Sequence, residues 1–302
     1  MKTITLKQED FKDGIYVGKE KLTNVDGNLD IQSTGFLRFS SYISAKGNIF
    51  AKGYIYAEGN IFAKGYISAE GNIYAEGDIF AKGNIYAEGD IFAKGNIYVE
   101  GNIYAEGDIY AEGNISAEGN IFAKCDIYAE GNIYAKCDIY AEGNIYAEGN
   151  IYAEGYIFAK GNIYAEGNIF AEGNISAEGN IFAEGNISAK GNISAKGGKI
   201  EAIYGITAFL QITAKTTIKS GMRIFAGIAP WSWLTAENKE IKCGKLIGGE
   251  IAYGTLIETG LPEEPETDIL AGKEVSVMID GKEYSTVIKQ ATPSRLRGGK
   301  EL

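Results

Sequence analysis

From Ile43 to Ile193 an isoleucine stands at every sixth position, which gives 26 consecutive six-residue repeats, called hexads below. Each hexad reads Gly, Asn or Asp, Ile, an aromatic residue or Ser, Ala, and Glu or Lys, as in the segment Gly71 to Glu76. Apolar or small residues alternate with polar or aromatic ones, which is the period of two of a β-strand and not the 3.6 of a helix. The pattern predicts a strand, Ile-Tyr-Ala, and a corner, Glu-Gly-Asn. Glycine would supply an unusual φ there, and Asn or Asp would bond its own backbone.

The hexad phase extends back to Val25 and, after one extra residue at Gly197-Gly198, forward to about Gly227. Identical short strands stack in register, so the sequence predicts an all-β fold, a parallel β-solenoid (β-helix) of six-residue strand-turn repeats. An N-terminal cap at 1–24 is expected to contain a strand near Thr3–Leu6. The solenoid follows at 25–229, a small C-terminal β cap at 230–261, and a linker with a β-hairpin tail at 262–302. The hairpin would turn at Asp280-Gly281.

The number of hexads in one turn has two candidate values. Three hexads would build a triangular β-helix with an 18-residue turn, and two would build a flat, two-sheet solenoid with a 12-residue turn. Outward residues are identical more often at a separation of twelve than of eighteen, which favours the flat form slightly. Duplication of two-hexad units raises that signal in either fold, so both forms remain open.

The residue after each isoleucine points outward, and in every second hexad it is aromatic. This row is our candidate surface for binding or self-association: Phe50, Phe62, Tyr74, Tyr86, Tyr98, Tyr110, Phe122, Tyr134, Tyr146, Phe158, Phe170 and Phe182. A triangular turn would instead leave one unbroken row, from Tyr56 through Tyr74 and Phe92 to Phe182. Such a row either stacks on itself and stabilises the sheet, or exposes an apolar strip that marks an interaction surface.

The chain of 302 residues contains no histidine and three cysteines. The lack of histidine excludes Ser-His-Asp and Cys-His pairs and histidine-ligated zinc. Uniform rows of Glu and Lys offer no environment that would drive two carboxyl pKa values apart. We therefore expect no enzyme activity, no catalytic residue, no metal site and no cofactor. Cys125 and Cys137 occupy the glycine position of the hexad, which we expect to point inward.

The net charge of −11 arises between Ile43 and Lys196, where 10 Lys stand against 16 Glu and 5 Asp. An acidic rod repels nucleic acid and anionic membrane, so neither is an expected partner. The first residues show no signal-peptide pattern, and no run is long and apolar enough for a transmembrane helix. Sparse, odd-numbered cysteines suit a reducing compartment, and we expect a cytoplasmic protein.

The hexads resemble those of two families, the hexapeptide-repeat acyltransferases and the bactofilin-like parallel β-solenoid proteins. In the acyltransferases the second small residue follows the aliphatic one by four positions, whereas here Ala follows Ile by two. The bactofilin-like resemblance implies a cytosolic, non-catalytic β-helix that polymerises. The repeats, with the segments Met222 to Gly227 and Cys243 to Lys245, are also similar to uncharacterised glycine-rich repeat proteins of gut Firmicutes and their mobile elements.

These observations favour a non-enzymatic structural or scaffold protein that self-associates, as a homo-oligomer or polymer, or presents its aromatic face for assembly with another protein. Two alternatives remain. The aromatic row could bind a glycan or another flat ligand, or the acidic rod could mimic DNA and inhibit a nucleic-acid enzyme.

Overall fold

The computed structural model describes residues 2–34, 37–229, 237–261, 274–279 and 282–287. Chain contacts divide it into two compact units, Met1–Leu261 and Pro262–Leu302. The first unit is a parallel β-solenoid, as the hexads predict. The second contains an antiparallel pair of strands, Glu274–Ile279 and Lys282–Val287, in which Ile279 pairs with Lys282. The predicted turn at Asp280-Gly281 and most of the predicted linker lie outside the described residues.

Within the uninterrupted hexads, from Ile43 to Ile193, each turn of the solenoid contains eighteen residues. Ile85 pairs in register with Ile67 on one side and with Ile103 on the other, and the same separation recurs through the hexads. The slight preference for a flat, twelve-residue turn is therefore wrong, and the triangular alternative is correct. Three strands form one turn, and the three stacks of strands are called faces A, B and C below.

Face A is a 14-stranded sheet that runs through the whole first unit. Its strands are Lys2–Leu6, Gly27–Ile31, Ile49–Ala51, Ile67–Ala69, Ile85–Ala87, Ile103–Ala105, Ile121–Ala123, Ile139–Ala141, Ile157–Ala159, Ile175–Ala177, Ile193–Ala195, Ile212–Ala214, Glu240–Cys243 and Thr255–Glu258.

Faces B and C are joined into one 24-stranded sheet, because the long strand Thr217–Ala226 pairs with the last short strand of each. Face B contains Phe11–Lys12, Ile15–Tyr16, Arg38–Phe39, Ile55–Ala57, Ile73–Ala75, Ile91–Ala93, Ile109–Ala111, Ile127–Ala129, Ile145–Ala147, Ile163–Ala165, Ile181–Ala183 and Ile200–Ala202. Face C contains Ile43–Ala45, Ile61–Ala63, Ile79–Ala81, Ile97–Val99, Ile115–Ala117, Ile133–Ala135, Ile151–Ala153, Ile169–Ala171, Ile187–Ala189 and Ile206–Ala208. The strand Lys245–Tyr253 stacks on Thr217–Ala226.

The core is a continuous column of isoleucine and alanine. All 26 central isoleucines are at most 1% exposed, and the residue two positions after each one is buried as well. Alternation of strand side chains sets this arrangement, because a slip of one residue would bury every Glu and Lys of the corners. The core is therefore nearly the same at every level of the central hexads, where Val99 alone takes the place of an alanine.

The corners are built differently from the prediction. The side chain of Asn132 does not bond its own backbone but accepts the N–H of Asn150, one turn further on, at 2.8 Å. The hexad glycines do not have the left-handed φ that we expected. They leave space for the corner side chains, because a Cβ at Gly89 would lie 1.9 Å from Oδ1 of Asn72. Cys125 and Cys137 carry a Cβ at the equivalent position, and the ladder bonds beside them are kept. Each corner thus carries a ladder of Asn or Asp side chains, and glycine makes room for it.

Residues before the hexads close one end of the solenoid. The predicted N-terminal strand is present as Lys2–Leu6 and pairs with Gly27–Ile31. A 3₁₀ turn at Gln8–Asp10 leads into a small hairpin, Phe11–Lys12 with Ile15–Tyr16. Its turn residues Asp13 and Gly14 have φ of 53° and 79°, the left-handed values of a two-residue hairpin turn. The rings of Phe11, Tyr16 and Phe39 pack together at centroid distances of 5.6 to 5.8 Å.

The other end of the first unit narrows. After a 3₁₀ turn at Glu237–Lys239, Ile241 pairs with Leu256, so this turn has fifteen residues instead of eighteen. Ile241, Leu246, Ile251 and Leu256 follow one another at a spacing of five residues, so one turn here contains three shorter repeats. Gly249 and Gly254 have φ of 108° and 120° at the corners of this turn, a conformation that favours glycine. Within the part of the chain that the structure describes, no helix could span a membrane.

Candidate functional site: three aromatic rows

The twelve candidate aromatic residues point outward, but they do not form one row. An 18-residue turn distributes residues twelve apart over all three faces. Four lie on face A (Phe50, Tyr86, Phe122 and Phe158), four on face B (Tyr74, Tyr110, Tyr146 and Phe182) and four on face C (Phe62, Tyr98, Tyr134 and Phe170). The single twelve-membered strip is therefore wrong. Each residue instead joins a shorter row with aromatic residues eighteen positions away.

The row on face B is unbroken, as the triangular alternative predicts. It comprises Tyr56, Tyr74, Phe92, Tyr110, Tyr128, Tyr146, Tyr164 and Phe182. Neighbouring rings are nearly parallel, and their centroids lie 4.5 to 5.0 Å apart. Each ring between the two end residues, Tyr56 and Phe182, thus has both flat sides covered by its neighbours and exposes mainly its edge. Self-stacking within the row is present, and it stabilises the parallel sheet.

Serine interrupts the rows on faces A and C. On face A, Ser68 separates Phe50 from Tyr86. On face C, Ser116 separates Tyr98 from Tyr134. Phe50, Tyr86 and Tyr98 are 39%, 38% and 40% exposed, and all other rings of the three rows are less exposed than these. The serines leave ring surfaces open that stacking covers elsewhere.

Tyrosine hydroxyl groups bond glutamates one turn further along the rod. The hydroxyl of Tyr56 donates to Glu76 at 2.6 Å, and Tyr146 donates to Glu166 at 3.5 Å. The bond to Glu76 raises the pKa of Tyr56 to about 12. Burial against its neighbours, followed by the charge of Glu166, raises the pKa of Tyr146 to about 12. These phenols therefore stay neutral at physiological pH and act as donors that fix the glutamate side chains.

The negative charge of the hexads is concentrated on one face. Between Ile43 and Lys196 the face B hexads carry three Asp, seven Glu and a single Lys, a net charge of −9. Face A carries −2 and face C is neutral, which together account for the −11 of this region. The face B carboxylates are Glu58, Glu76, Asp90, Asp108, Glu112, Asp126, Glu130, Glu148, Glu166 and Glu184. The only unbroken aromatic row therefore lies between two acidic edges.

On faces A and C the charged residues pair along the rod axis. Lys82 and Glu100 are 2.8 Å apart on face C, and Lys124 and Glu106 are 2.8 Å apart on face A. These pairs are exposed, so each contributes little to stability. Their hydrogen bonds raise the pKa of both lysines. Similar numbers of acidic and basic residues leave these two faces close to charge balance, with net charges of −2 and 0.

The cysteines do not form a site. Cys125 and Cys137 are free and exposed, which corrects the expected inward orientation, and they precede strands of different faces. Burial of its thiol and the nearby Asp108 raise the pKa of Cys125, which disfavours a reactive thiolate. Among the described residues, no group of His, Cys, Asp and Glu could hold a metal ion.

Together, the 18-residue turn, the Ile/Ala column and the Asn ladders define a parallel β-solenoid of the repeat class. The family model for the beta solenoid domain of Flagellar Assembly Protein A (FapA) matches residues 68–148 and 138–292, which is more than half of the chain. The chain therefore belongs to the FapA beta solenoid domain family, which indicates a structural or assembly-related role.

The haemagglutinin repeat model matches residues 15–53. Comparison with curated proteins and with solved structures gives no significant match. The bactofilin-like and Firmicute resemblances stay predictions.

Proposed function

We propose that the chain is a non-enzymatic structural rod that associates with further copies of itself through faces A and C. One observation carries the proposal: these two faces combine open aromatic surface with near charge balance, and face B does not. Exposed ring surface along a rigid sheet is typical of an interaction surface. The family name, which refers to flagellar assembly, supports an assembly-related role for this chain as well.

Charge decides which faces can meet. Contact between the face B surfaces of two copies would place a net charge of −9 against another of −9. Like charges across an interface oppose association. Face A and face C each carry lysines among their glutamates, so the lysines of one copy can lie against the glutamates of another. Tyr86 and Tyr98 expose more ring surface than the face B tyrosines do, and burial of that surface would stabilise the contact. We therefore propose contact through faces A and C, with face B left towards solvent.

A structural role without catalysis is supported by the uniformity of the rod. Successive turns repeat the same core and corners, and the carboxylates stand in similar surroundings, whereas acid–base catalysis requires groups whose pKa values differ. We also propose a cytoplasmic location, supported by the sparse, unpaired cysteines.

The two alternatives have less support. A sugar ring packs on the flat side of an aromatic ring. Along face B stacking covers those sides, and a continuous ladder of open rings is not present on faces A and C, where flat sides are open beside serines such as Ser68 and Ser116. A DNA mimic would need a comparable charge density on its surface. With a rung spacing of ~4.8 Å, face B carries about one charge per 5 Å, against one per ~1.7 Å of duplex DNA.

Size-exclusion chromatography with light scattering tests the proposal, over low to high micromolar concentrations. In one variant, Tyr86, Tyr104 and Tyr140 of face A become serine. In the matched control, Tyr110, Tyr128 and Tyr146 of face B become serine. Ser already occupies this position at Ser68 and Ser176, so the fold should persist, which circular dichroism checks. We expect wild type and the control to associate and the face A variant to associate more weakly. A wild-type chain that stays monomeric at high micromolar concentration would contradict the proposal.

A further inference from the structure

The gap that Ser116 makes in the row of face C is bounded by two rings. Tyr98 stacks on Phe80 at 5.3 Å, on the side away from the serine. Tyr134 stacks on Tyr152 at 5.1 Å, also on the side away from it. Each of these tyrosines therefore has one flat side covered by a neighbour and turns the other towards the gap. The space between them is called the ring slot below.

The ring slot has the dimensions of one missing ring. Tyr98 and Tyr134 are two rungs apart, which at the spacing of a parallel sheet is about 9.6 Å. Two stacking contacts in the rows themselves span the same distance, since neighbouring centroids lie near 4.9 Å. A planar ring placed midway would thus meet both tyrosines at the separation that aromatic pairs prefer.

The walls of the slot are fixed before any ligand arrives. It lies within a groove of about 1000 Å³ that runs along face C, with Ser116 on its floor and Asn114 and Asn132 on its wall. The amide of Asn132 donates to Oδ1 of Asn114 at 3.0 Å, which holds both side chains in the corner ladder. The hydroxyl of Ser116 gives the slot one polar group at its base. Tyr98 and Tyr134 are each stacked on one neighbour as well, and such preordering lowers the cost of binding.

We propose that the ring slot binds a small planar aromatic molecule of one or two fused rings, inserted between Tyr98 and Tyr134. The ligand continues the stacked row, and its edge lies towards solvent or towards Ser116. Charged groups are not required for recognition, because the contacts are the flat sides of the two rings. The slot lies on one of the two faces that we propose for self-association, so a ligand and a second copy would compete for it, and it would be open in a monomeric rod.

A second slot of the same design lies on face A. Ser68 separates Phe50 from Tyr86, and both rings are among the most exposed of the outward rows. Tyr86 stacks on Tyr104 at 5.0 Å on its far side, as Tyr98 does on Phe80. Two slots on different faces, each made by one serine, predict two binding sites in each chain.

Indole is the probe, and binding is measured by saturation-transfer NMR and by tyrosine fluorescence at protein concentrations low enough to avoid association. In one double variant Ser68→Tyr and Ser116→Tyr fill both slots with the residue that stands at this position elsewhere in the rows. In the matched control Ser68→Ala and Ser116→Ala keep the slots open. We expect wild type and the alanine variant to bind indole at millimolar concentration or below, and the tyrosine variant to bind at least about tenfold more weakly.

A thermal unfolding scan of the tyrosine variant shows whether the added rings stack. We expect it to unfold at a temperature no lower than that of wild type, because each new ring continues a row that already exists. Equal indole binding by the tyrosine and alanine variants would overturn the proposal, since the probe would then sit on ring edges and not in the slots. Absence of binding to wild type up to the solubility limit of indole would overturn it as well.

Discussion

Asn132 and Asn150 are joined by two hydrogen bonds to a single oxygen atom. Oδ1 of Asn132 accepts the backbone N–H of Asn150 at 2.8 Å and its side-chain amide at 3.0 Å. The same pair of bonds recurs one turn later, where Asn168 donates to Asn150. Side chains and backbone are therefore coupled along the corner, and each turn holds the next.

Loss of this acceptor should destabilise the corner. We expect Asn132→Leu to lower the free energy of unfolding by about 1–2 kcal/mol, because the N–H of Asn150 is left without its partner. Hydrogen exchange at the amide of Asn150 should accelerate. The control is Asn132→Asp, which keeps Oδ1, as Asp78 does when it accepts the N–H of Asn96 at 2.7 Å. If the leucine and aspartate variants exchange at the same rate, the ladder does not stabilise the corner.

The close approach of glycine to the ladder can be tested separately. In Gly89→Ala the new Cβ would lie 1.9 Å from Oδ1 of Asn72, so the Asn side chain must shift. We expect a loss of about 1–3 kcal/mol of stability, measured by chemical denaturation. Cys137→Ala is the matched control, since this equivalent position already carries a Cβ and should change stability little. A similar small effect of both substitutions would refute the steric explanation.

The 18-residue turn predicts which outward positions can be cross-linked. Ser176 and Ser194 pair in register on face A, so cysteines at these two positions should form a disulfide on oxidation. Ser188 is twelve residues from Ser176 but lies on face C, and cysteines at 176 and 188 should stay unlinked. Mass spectrometry of the oxidised protein, with Cys125 and Cys137 replaced by serine, distinguishes the two cases. A disulfide between positions 176 and 188, with none between 176 and 194, would support the flat solenoid instead.

Alkaline pH should weaken the rod. The pKa of Tyr56 and that of Tyr146 are raised from 10.0 to about 12, so folding favours the neutral phenol. The stabilisation is complete below pH 10 and is lost as the pH rises from 10 towards 12. Urea unfolding across this range, together with the ultraviolet absorbance of tyrosinate, measures the loss. The double variant Tyr56→Phe and Tyr146→Phe should lose less stability over this pH range than wild type does. If its pH dependence equals that of wild type, ionisation of these two phenols does not cause the loss.

The sequence predicts the strands and the core directly, because the period of two places every Ile and Ala on one side. The turn length is harder to predict, since nearly identical hexads stack at any multiple of six residues. The positions of the charged residues indicate the turn length. A twelve-residue turn would stack Lys124 on Lys136, whereas the 18-residue turn pairs them with Glu106 and Glu118. Sequence identity at a separation of twelve therefore does not report the turn length.

The sequence predicts the candidate aromatic surface only in part, because the turn length is not fixed by the hexad pattern. The twelve aromatic residues do point outward, but their grouping depends on the turn length. The acidity of face B, the ring slots at Ser68 and Ser116 and the Asn ladders all follow from residues eighteen apart. The pattern within one hexad contains no information about them.

Because one turn contains three hexads, the length of an insertion decides on which face each later hexad lies. Any inserted copy that is not a multiple of eighteen residues rotates everything after it onto another side, as the equivalent positions Cys125 and Cys137 illustrate by lying at different corners. Copying in units of twelve would spread each kind of residue evenly around the rod. The acidic side with its continuous aromatic row is uneven, so copying in units of twelve alone does not account for it.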